Sequence, residues 1–275
     1  MIRALYTSAS GMLLGMRQQD VVADNLANSS TVGYKADQSA QTAFAGVLAR
    51  RVGPGDGPMP VSRDELIGRV GTGAFVENVR TFLGQGADRE TGAALDAMIR
   101  GDGFFVVNTE DGIRYTRDGH FDRDEQQRLI SADGAPVLDE AGNEIILDTD
   151  KIRIRTDGSI ARLVSTETLQ ADGSTAVDVT EEFVARLQIV TVGADDLVRA
   201  GASKFTVAGG AVVTPVEFPA ANTFIVQGSL EEANVNVGQT ATQLYSVART
   251  FQASQRVFAE INKSLETSVT DLGRV

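Results

Sequence analysis

From Val237 onward, large apolar side chains return every seven residues: Val237, Leu244, Phe251, Phe258, Leu265 and Leu272. Val247 and Ile261 fall three places on in the same frame, and Ala241, Ala248 and Val269 four. This spacing predicts a long amphipathic helix with one sustained seam. Neither Pro nor Gly interrupts it between Gln239 and Leu272, so a continuous helix there reaches roughly 50 Å at 1.5 Å per residue. The N-terminal segment repeats the logic. Ile2, Ala9, Met16 and Ala23 stand seven apart, as do Leu5, Met12, Gln19 and Leu26, with Gln19 the polar exception. This second helix breaks at DNLANSSTVGYKAD, residues 24–37. There Asn28 offers a C-terminal cap, and Gly33 is free to take positive φ.

Between the two helices the period shortens. KIRIRT at 151–156 alternates with period two. Short apolar runs occupy Phe104–Val107, Ile113–Thr116, Arg128–Ile130, Ile145–Leu147, Ile152–Ile154, Phe183–Val192 and Thr223–Val226. Asp-Gly pairs start at Asp56, Asp102, Asp111, Asp118, Asp133, Asp157 and Asp172. Asp-Gly between apolar runs signals hairpins, because both residues tolerate positive φ. The pattern predicts mixed α and β: heptad helices at the two ends, 1–35 and 229–275, and a mainly antiparallel β domain over 95–228. Residues 36–94 read as an extended connector with one or two strands, since GPGDGPMP at 53–60 is incompatible with helix and breaks a strand.

Charge sharpens this division. The formal net charge is -12, yet Arg3, Arg17 and Lys35 nearly balance Asp20 and Asp24 at one end, and the other end is equally near neutral. The acid excess lies in the centre. Near-neutral ends suit mutual packing, and an acidic centre suits water. Such a balance speaks against nucleic acid or an anionic membrane surface as partner. No stretch approaches the roughly 18 apolar residues of a membrane span. MIRALYTSASGMLLGMRQQD lacks the continuous apolar core of a cleaved signal, so the sequence predicts a cytosolic chain or one exported without such a signal.

Little in the chain suggests catalysis. Without cysteine there is no disulfide, thiolate nucleophile or Cys-ligated metal. The single histidine, His120, excludes HExxH zinc sites. No GxSxG elbow accompanies it, and it reads as a surface turn residue. DRDEQQRLISAD, 122–133, approximates a calcium loop but places Gln127 where the turn requires Gly and Asp133 where Glu belongs. GDGFF, GPGDG and GQGADR are not dinucleotide fingerprints, because none links a buried strand to a helix. The expectation is no catalytic residue, no metal and no cofactor.

At this point the sequence resembles a known family, the bacterial flagellar rod and hook proteins. Asn25-Leu26-Ala27-Asn28, then Thr31, Gly33, Tyr34 and Lys35, fit that family's N-terminal signature NxANxxTxGYK. LYTSASGM at 5–12, TGAALDAMIRGDGFFVV at 91–107, YTRDGHF at 115–121 and GSLEEANVNV at 228–237 are also similar to it. Gly238-Gln239-Thr240-Ala241-Thr242 departs from the acidic, apolar run common in rod relatives, which implies a weakened first turn or a shifted helix start. The resemblance implies a two-domain basal-body rod protein, proximal or distal. Its terminal helices would pair in the inner layer of a tube, with the β domain outside. It implies a self-polymer that contacts neighbouring rod and hook proteins, carries torque from motor to hook, and leaves through the flagellar type III export apparatus.

For such a protein the residues that matter are interface residues. Those expected to form the assembly seam are Leu5, Met12, Met16 and Leu26, with Val237, Leu244, Phe251, Phe258, Ile261 and Leu265. Asn25, Asn28, Thr31, Gly33 and Tyr34 are expected to fix the path by which the chain leaves the first helix. A different class of reading is a β-domain carbohydrate-binding or peptidoglycan-acting protein with a helical oligomerisation stalk, suggested by the acidic centre. A soluble coiled-coil adaptor accounts for the heptads but leaves GDGFF and YTRDGHF without a role.

Overall fold

Both heptad stretches are helical. Helix α1 runs Ile2–Ala27 and helix α2 runs Val237–Leu272. The latter begins at Val237 despite Gly238 and Thr240 in its first turn. The structure is a computed structural model that describes residues 2–44, 47–53, 63–71, 73–149, 151–169, 175–209, 211–218 and 223–272. The chain forms two compact units. Unit 1 comprises Met1–Leu26, Asp37–Arg80 and Val237–Val275, and unit 2 comprises Ala27–Ala36 and Thr81–Asn236.

In unit 1 the helices are joined by strands that the sequence only partly foreshadows. The segment expected to hold one or two strands contains β1 (Asp37–Ala43), β2 (Val47–Gly53), β3 (Arg63–Val70) and β4 (Ala74–Thr81). Strand β1 pairs with β4, and β2 pairs antiparallel with β3 from Val47↔Val70 to Gly53↔Arg63. These strands are rich in charged and small residues, so apolar runs do not reveal them. Most of GPGDGPMP, including Asp56, lies outside the described residues.

Unit 2 is built of short antiparallel strands. It begins with β5 (Asp88–Glu90), β6 (Ala97–Arg100), β7 (Phe104–Thr109) and β8 (Gly112–Thr116). Next come β9 (Phe121–Arg123), β10 (Leu129–Ser131), β11 (Ile152–Ile154), β12 (Ser159–Leu169) and β13 (Thr175–Arg186). The last are β14 (Ile189–Thr191), β15 (Leu197–Arg199), β16 (Lys204–Val207), β17 (Thr214–Pro215), β18 (Phe224–Gln227) and β19 (Ser229–Glu231). The largest sheet has the order β15-β16-β8-β7-β14-β17, and β11-β12-β13 form another. The final strands return to the first: Ile225 pairs with Ile99, and Leu230 with Arg89. The main core gathers Phe105, Val107, Phe121, Leu129, Ile145, Ile160, Leu187 and Ile225.

Two sequence expectations change in detail. The run Phe183–Val192 is not one strand. It breaks after Arg186, and the chain passes through fully buried Leu187 into another sheet. Ile145–Leu147 makes only isolated bridges such as Arg128↔Ile146.

The Asp-Gly turns also differ in kind. In Ser131–Ala135 and Arg155–Ser159 only the glycine is left-handed, at φ 84° for Gly134 and 78° for Gly158. Ser131 N donates to Ala135 O, and Gly134 N to Ser131 O. The result is a three-residue loop with a bulge rather than a two-residue turn. The aspartate accepts local hydrogen bonds instead: Asp157 Oδ1 receives the Ser159 hydroxyl at 2.6 Å. Asp172 lies outside the described residues.

The calcium-like stretch closes in the same way, with Asp124 N donating to Arg128 O and Gln127 N to Asp124 O. Gln127 occupies the glycine position at φ 65°, alone among described non-glycine residues. A side chain there costs roughly 1–2 kcal/mol, partly offset in a glycine variant by greater unfolded-state freedom. Gln127→Gly is therefore expected to raise the thermal midpoint of unit 2 by about 1–3 °C, measured by calorimetry. A lowered midpoint would contradict the strain assigned to this turn.

Candidate assembly site

The two helices touch within unit 1 where α1 has small residues. A methyl group added at Gly15 would sit 3.3 Å from Phe251 Cβ, and one at Gly11 would sit 3.4 Å from Ser254 Oγ. Rising numbers on α1 meet falling numbers on α2, so the helices run antiparallel at this contact. The most buried positions of α1 are Ser8, Gly15, Val22 and Asn25. Leu5, Met12 and Leu26 flank this row half-buried, whereas Met16 is 50% exposed. On α2, Leu244, Phe251, Phe258, Ile261 and Leu265 are half-buried, Val247 is buried, and Val237 is 52% exposed. A search for large apolar residues overlooks Ser8, Gly11 and Gly15. Small residues repeating along one face were the available signal, since they let a partner ring such as Phe251 approach the α1 backbone.

The segment after α1 is fixed by backbone hydrogen bonds. Asn25 Nδ2 donates to Asp37 O at 2.7 Å, and Asn25 Oδ1 accepts from Asp37 N at 2.8 Å. One carboxamide thus satisfies both backbone groups of Asp37, as a paired strand would, and pins the two ends of the 26–36 excursion. Asn28, offered as a C-terminal cap, fills that role without positive φ, which falls instead at Gly33. The Asn28 carbonyl accepts from Thr31 N at 3.0 Å, and its side-chain oxygen from the Thr31 hydroxyl at 3.3 Å. A turn closed by Thr31 satisfies the helix end without the strain of positive φ.

Gly33, Tyr34 and Lys35 then enter the body of unit 2. Gly33 adopts φ +67°, and any Cβ on it would collide with the backbone of Arg117 and Asp118. Its N–H donates to Glu231 O at 2.8 Å. Tyr34 is buried, with the Arg199 guanidinium 4.6 Å from its ring centre. The Lys35 ammonium is also buried, 2.6 Å from Glu231 Oε1, and it donates to Gly84 O at 2.9 Å. The other Glu231 oxygen lies 3.3 Å from Arg117 Nη1, while Oε1 also accepts from Gly86 N at 2.7 Å. Arg117 continues to Ile99 O and Gly101 O.

Asn234 completes the junction, accepting from Ala36 N and donating to Phe82 O and Gly84 O. All four segments 33–35, 91–107, 115–121 and 228–237 meet here. Lys35, Arg117, Glu231 and Asn234 were not singled out as site residues from the sequence. Charged residues default to the surface unless paired, and the Lys35 and Glu231 partners are 196 residues apart.

Burial sets the electrostatics of this cluster. It pulls the Lys35 ammonium and the Arg117 guanidinium below their usual pKa values, and the Glu231 carboxylate opposes both shifts. Two cations therefore share one carboxylate away from water.

His120 stands apart from it, half-exposed, with Nδ1 2.8 Å from Asp96 Oδ1. No group of three or more His, Asp or Glu side chains placed to hold a metal occurs among the described residues. No described helix is long and apolar enough to cross a membrane.

Three family models match the chain in the order of these elements. Residues 5–35 match the flagella basal body rod protein model. Residues 98–162 match the flagellar hook protein FlgE/F/G D1 domain, and residues 226–272 match the flagellar basal body rod FlgEFG protein C-terminal model. The chain is similar to the flagellar basal-body rod protein FlgF of Rhizobium meliloti, 30% identical over 98% of this chain and 97% of that one. It is similar to the flagellar hook-basal body complex protein FlhO of Bacillus subtilis, 27% identical over the full length of both. The same identity relates it to the flagellar basal-body rod protein FlgG of that bacterium, over 98% of each chain. The chain belongs to the flagellar basal-body rod proteins, and its role is that of a structural subunit of the flagellar rod.

Removing one partner from a buried ion cluster costs about 3–5 kcal/mol. Glu231→Gln, which leaves two buried cations, is expected to lower the unfolding free energy of unit 2 by that amount in urea denaturation. Lys35→Met, which removes one of the competing cations, is expected to cost less. Equal losses would contradict the role of Glu231 as shared counter-ion.

Proposed function

We propose that this rod subunit polymerises helically, with its two terminal helices paired as a coiled coil in the inner layer of a tube. The antiparallel approach of Phe251 to Gly15 supports the pairing, because Phe251 belongs to the heptad row of α2. Torque then passes from motor to hook through packed helices, so work is done by shape and burial rather than by chemistry. Leu5, Met12, Leu26, Leu244, Phe251, Phe258, Ile261 and Leu265 make the seam within and between subunits. Met16 and Val237, half-exposed in one chain, gain cover from neighbours. Asn25, Asn28, Thr31, Gly33 and Tyr34 hold the exit of the chain from α1. The partners are further copies of the chain, the adjoining rod and hook proteins, and the flagellar export apparatus.

An amphipathic pair of helices leaves one side of each seam open, so the terminal helices are marginal in a free subunit. Limited proteolysis of dilute monomer is expected to leave a core that begins between residues 36 and 90 and ends near 230. Protection of both termini at low concentration would defeat assembly-coupled ordering. Phe251→Asp is expected to abolish swimming while the circular dichroism of unit 2 is unchanged. Normal filaments in that variant would exclude this face from the buried seam.

A further inference from the structure

We propose that the groove formed by α1 with β1 and β4 receives the outer face of α2 from a second copy of the chain. The proposal rests on the rod-subunit reading and adds which face meets which. Helix α1 carries a second apolar face, away from Gly11 and Gly15, in which Leu13 is 65% and Met16 50% exposed. Across from Leu13 and Met16, the strands present Phe44, Phe75 and Val79, all more than a third exposed. Phe44 and Phe75 stack with ring centres 5.1 Å apart. Together they line a groove of about 890 Å³. A contiguous exposed apolar surface of this kind marks an interaction site.

Charge identifies the occupant. The groove's lining includes the carboxylates of Asp20, Asp24, Asp37 and Glu77 and the guanidinium of Arg17; Asp24 and Asp37 also interact elsewhere in the chain. Helix α2 supplies the complement. Arg249, Arg256 and Lys263 stand seven apart and are exposed. All three lie opposite the seam that contains Phe251. They make no ion pair among the described residues. Tyr245, 73% exposed, lies beside the row.

Arginine and lysine stems cover apolar surface while their heads reach polar rims. The basic row therefore suits an apolar floor edged with carboxylates. The lengths agree as well. The groove follows α1 from Ser10 to Asp24, and the basic row spans the same number of residues, roughly 21 Å of helix in each case. An α2 engaged with its own α1 keeps this outer row available, so one contact does not compete with the other.

The natural chain has no cysteine, so introduced thiols report the contact without background. Chains carrying Asp20→Cys together with Arg249→Cys, Arg256→Cys or Lys263→Cys would replace the natural chain in cells. Basal bodies would then be purified and oxidised. At least one pair is expected to give disulfide-linked ladders beyond the dimer. Normal swimming with no ladder from any of the three pairs would overturn the proposal.

Should the cysteine variants fail to assemble, charge exchange decides. Asp20→Arg and Arg256→Asp are each expected to abolish swimming, and the double variant to restore it. Swimming by either single variant, or no recovery in the double, would overturn the pairing. The rod reading is scored separately, on the unaltered chain. Its absence from purified basal bodies would defeat that reading whatever the variants do.

Discussion

A single carboxylate organises unit 2. Glu231 is fully buried and stands between two cations, Lys35 from the segment after α1 and Arg117 from the centre of the chain. Its backbone carbonyl also accepts from Gly33. Taking these charges out of water is expensive, and the geometry repays it only while every partner is in place. The arrangement therefore tolerates little displacement, and it fixes where the chain enters and leaves the β body. Asn234 repeats the logic with neutral groups, tying Ala36 to Phe82 and Gly84.

Unit 1 follows a different principle. Its contacts are apolar and incomplete. Gly11 and Gly15 let α2 approach closely on one side of α1, while Leu13 and Met16 remain exposed on the other. In a subunit that works by being packed, partial burial is the functional state of the free chain.

The sequence disclosed these two principles unequally. Heptads are local and periodic, so both helices could be read from spacing alone. The row of α1 that faces α2 was missed because Ser8, Gly11 and Gly15 carry little hydrophobicity. Their contribution is the absence of bulk, which matters only once Phe251 is seen above them. Strands β1 to β4 were under-read for a related reason: DQSAQTA and RDELIGRV hold too few apolar residues to reveal their alternation. The ion cluster was beyond reach, since nothing near Lys35 in sequence indicates a carboxylate at position 231. Gln127 shows the limit of turn chemistry. Its position was recognised as one that wants glycine, but only the backbone shows that the same loop forms without it.

The pairing of Lys35 with Glu231 spans 196 residues, and this separation governs the order of events during folding. Strands β18 and β19, which complete the pairing of β6 and β5, also come from the end of the unit. Closing so long a loop is paid in entropy before any long-range contact repays it. A chain synthesised from its N-terminus presents Lys35 and Arg117 long before their counter-ion is made. Until then the β body lacks both its closing strands and the charge that makes its interior tolerable. Unit 2 is a clasp whose catch is the last part to arrive, so the β body stays open until nearly all of its chain is present.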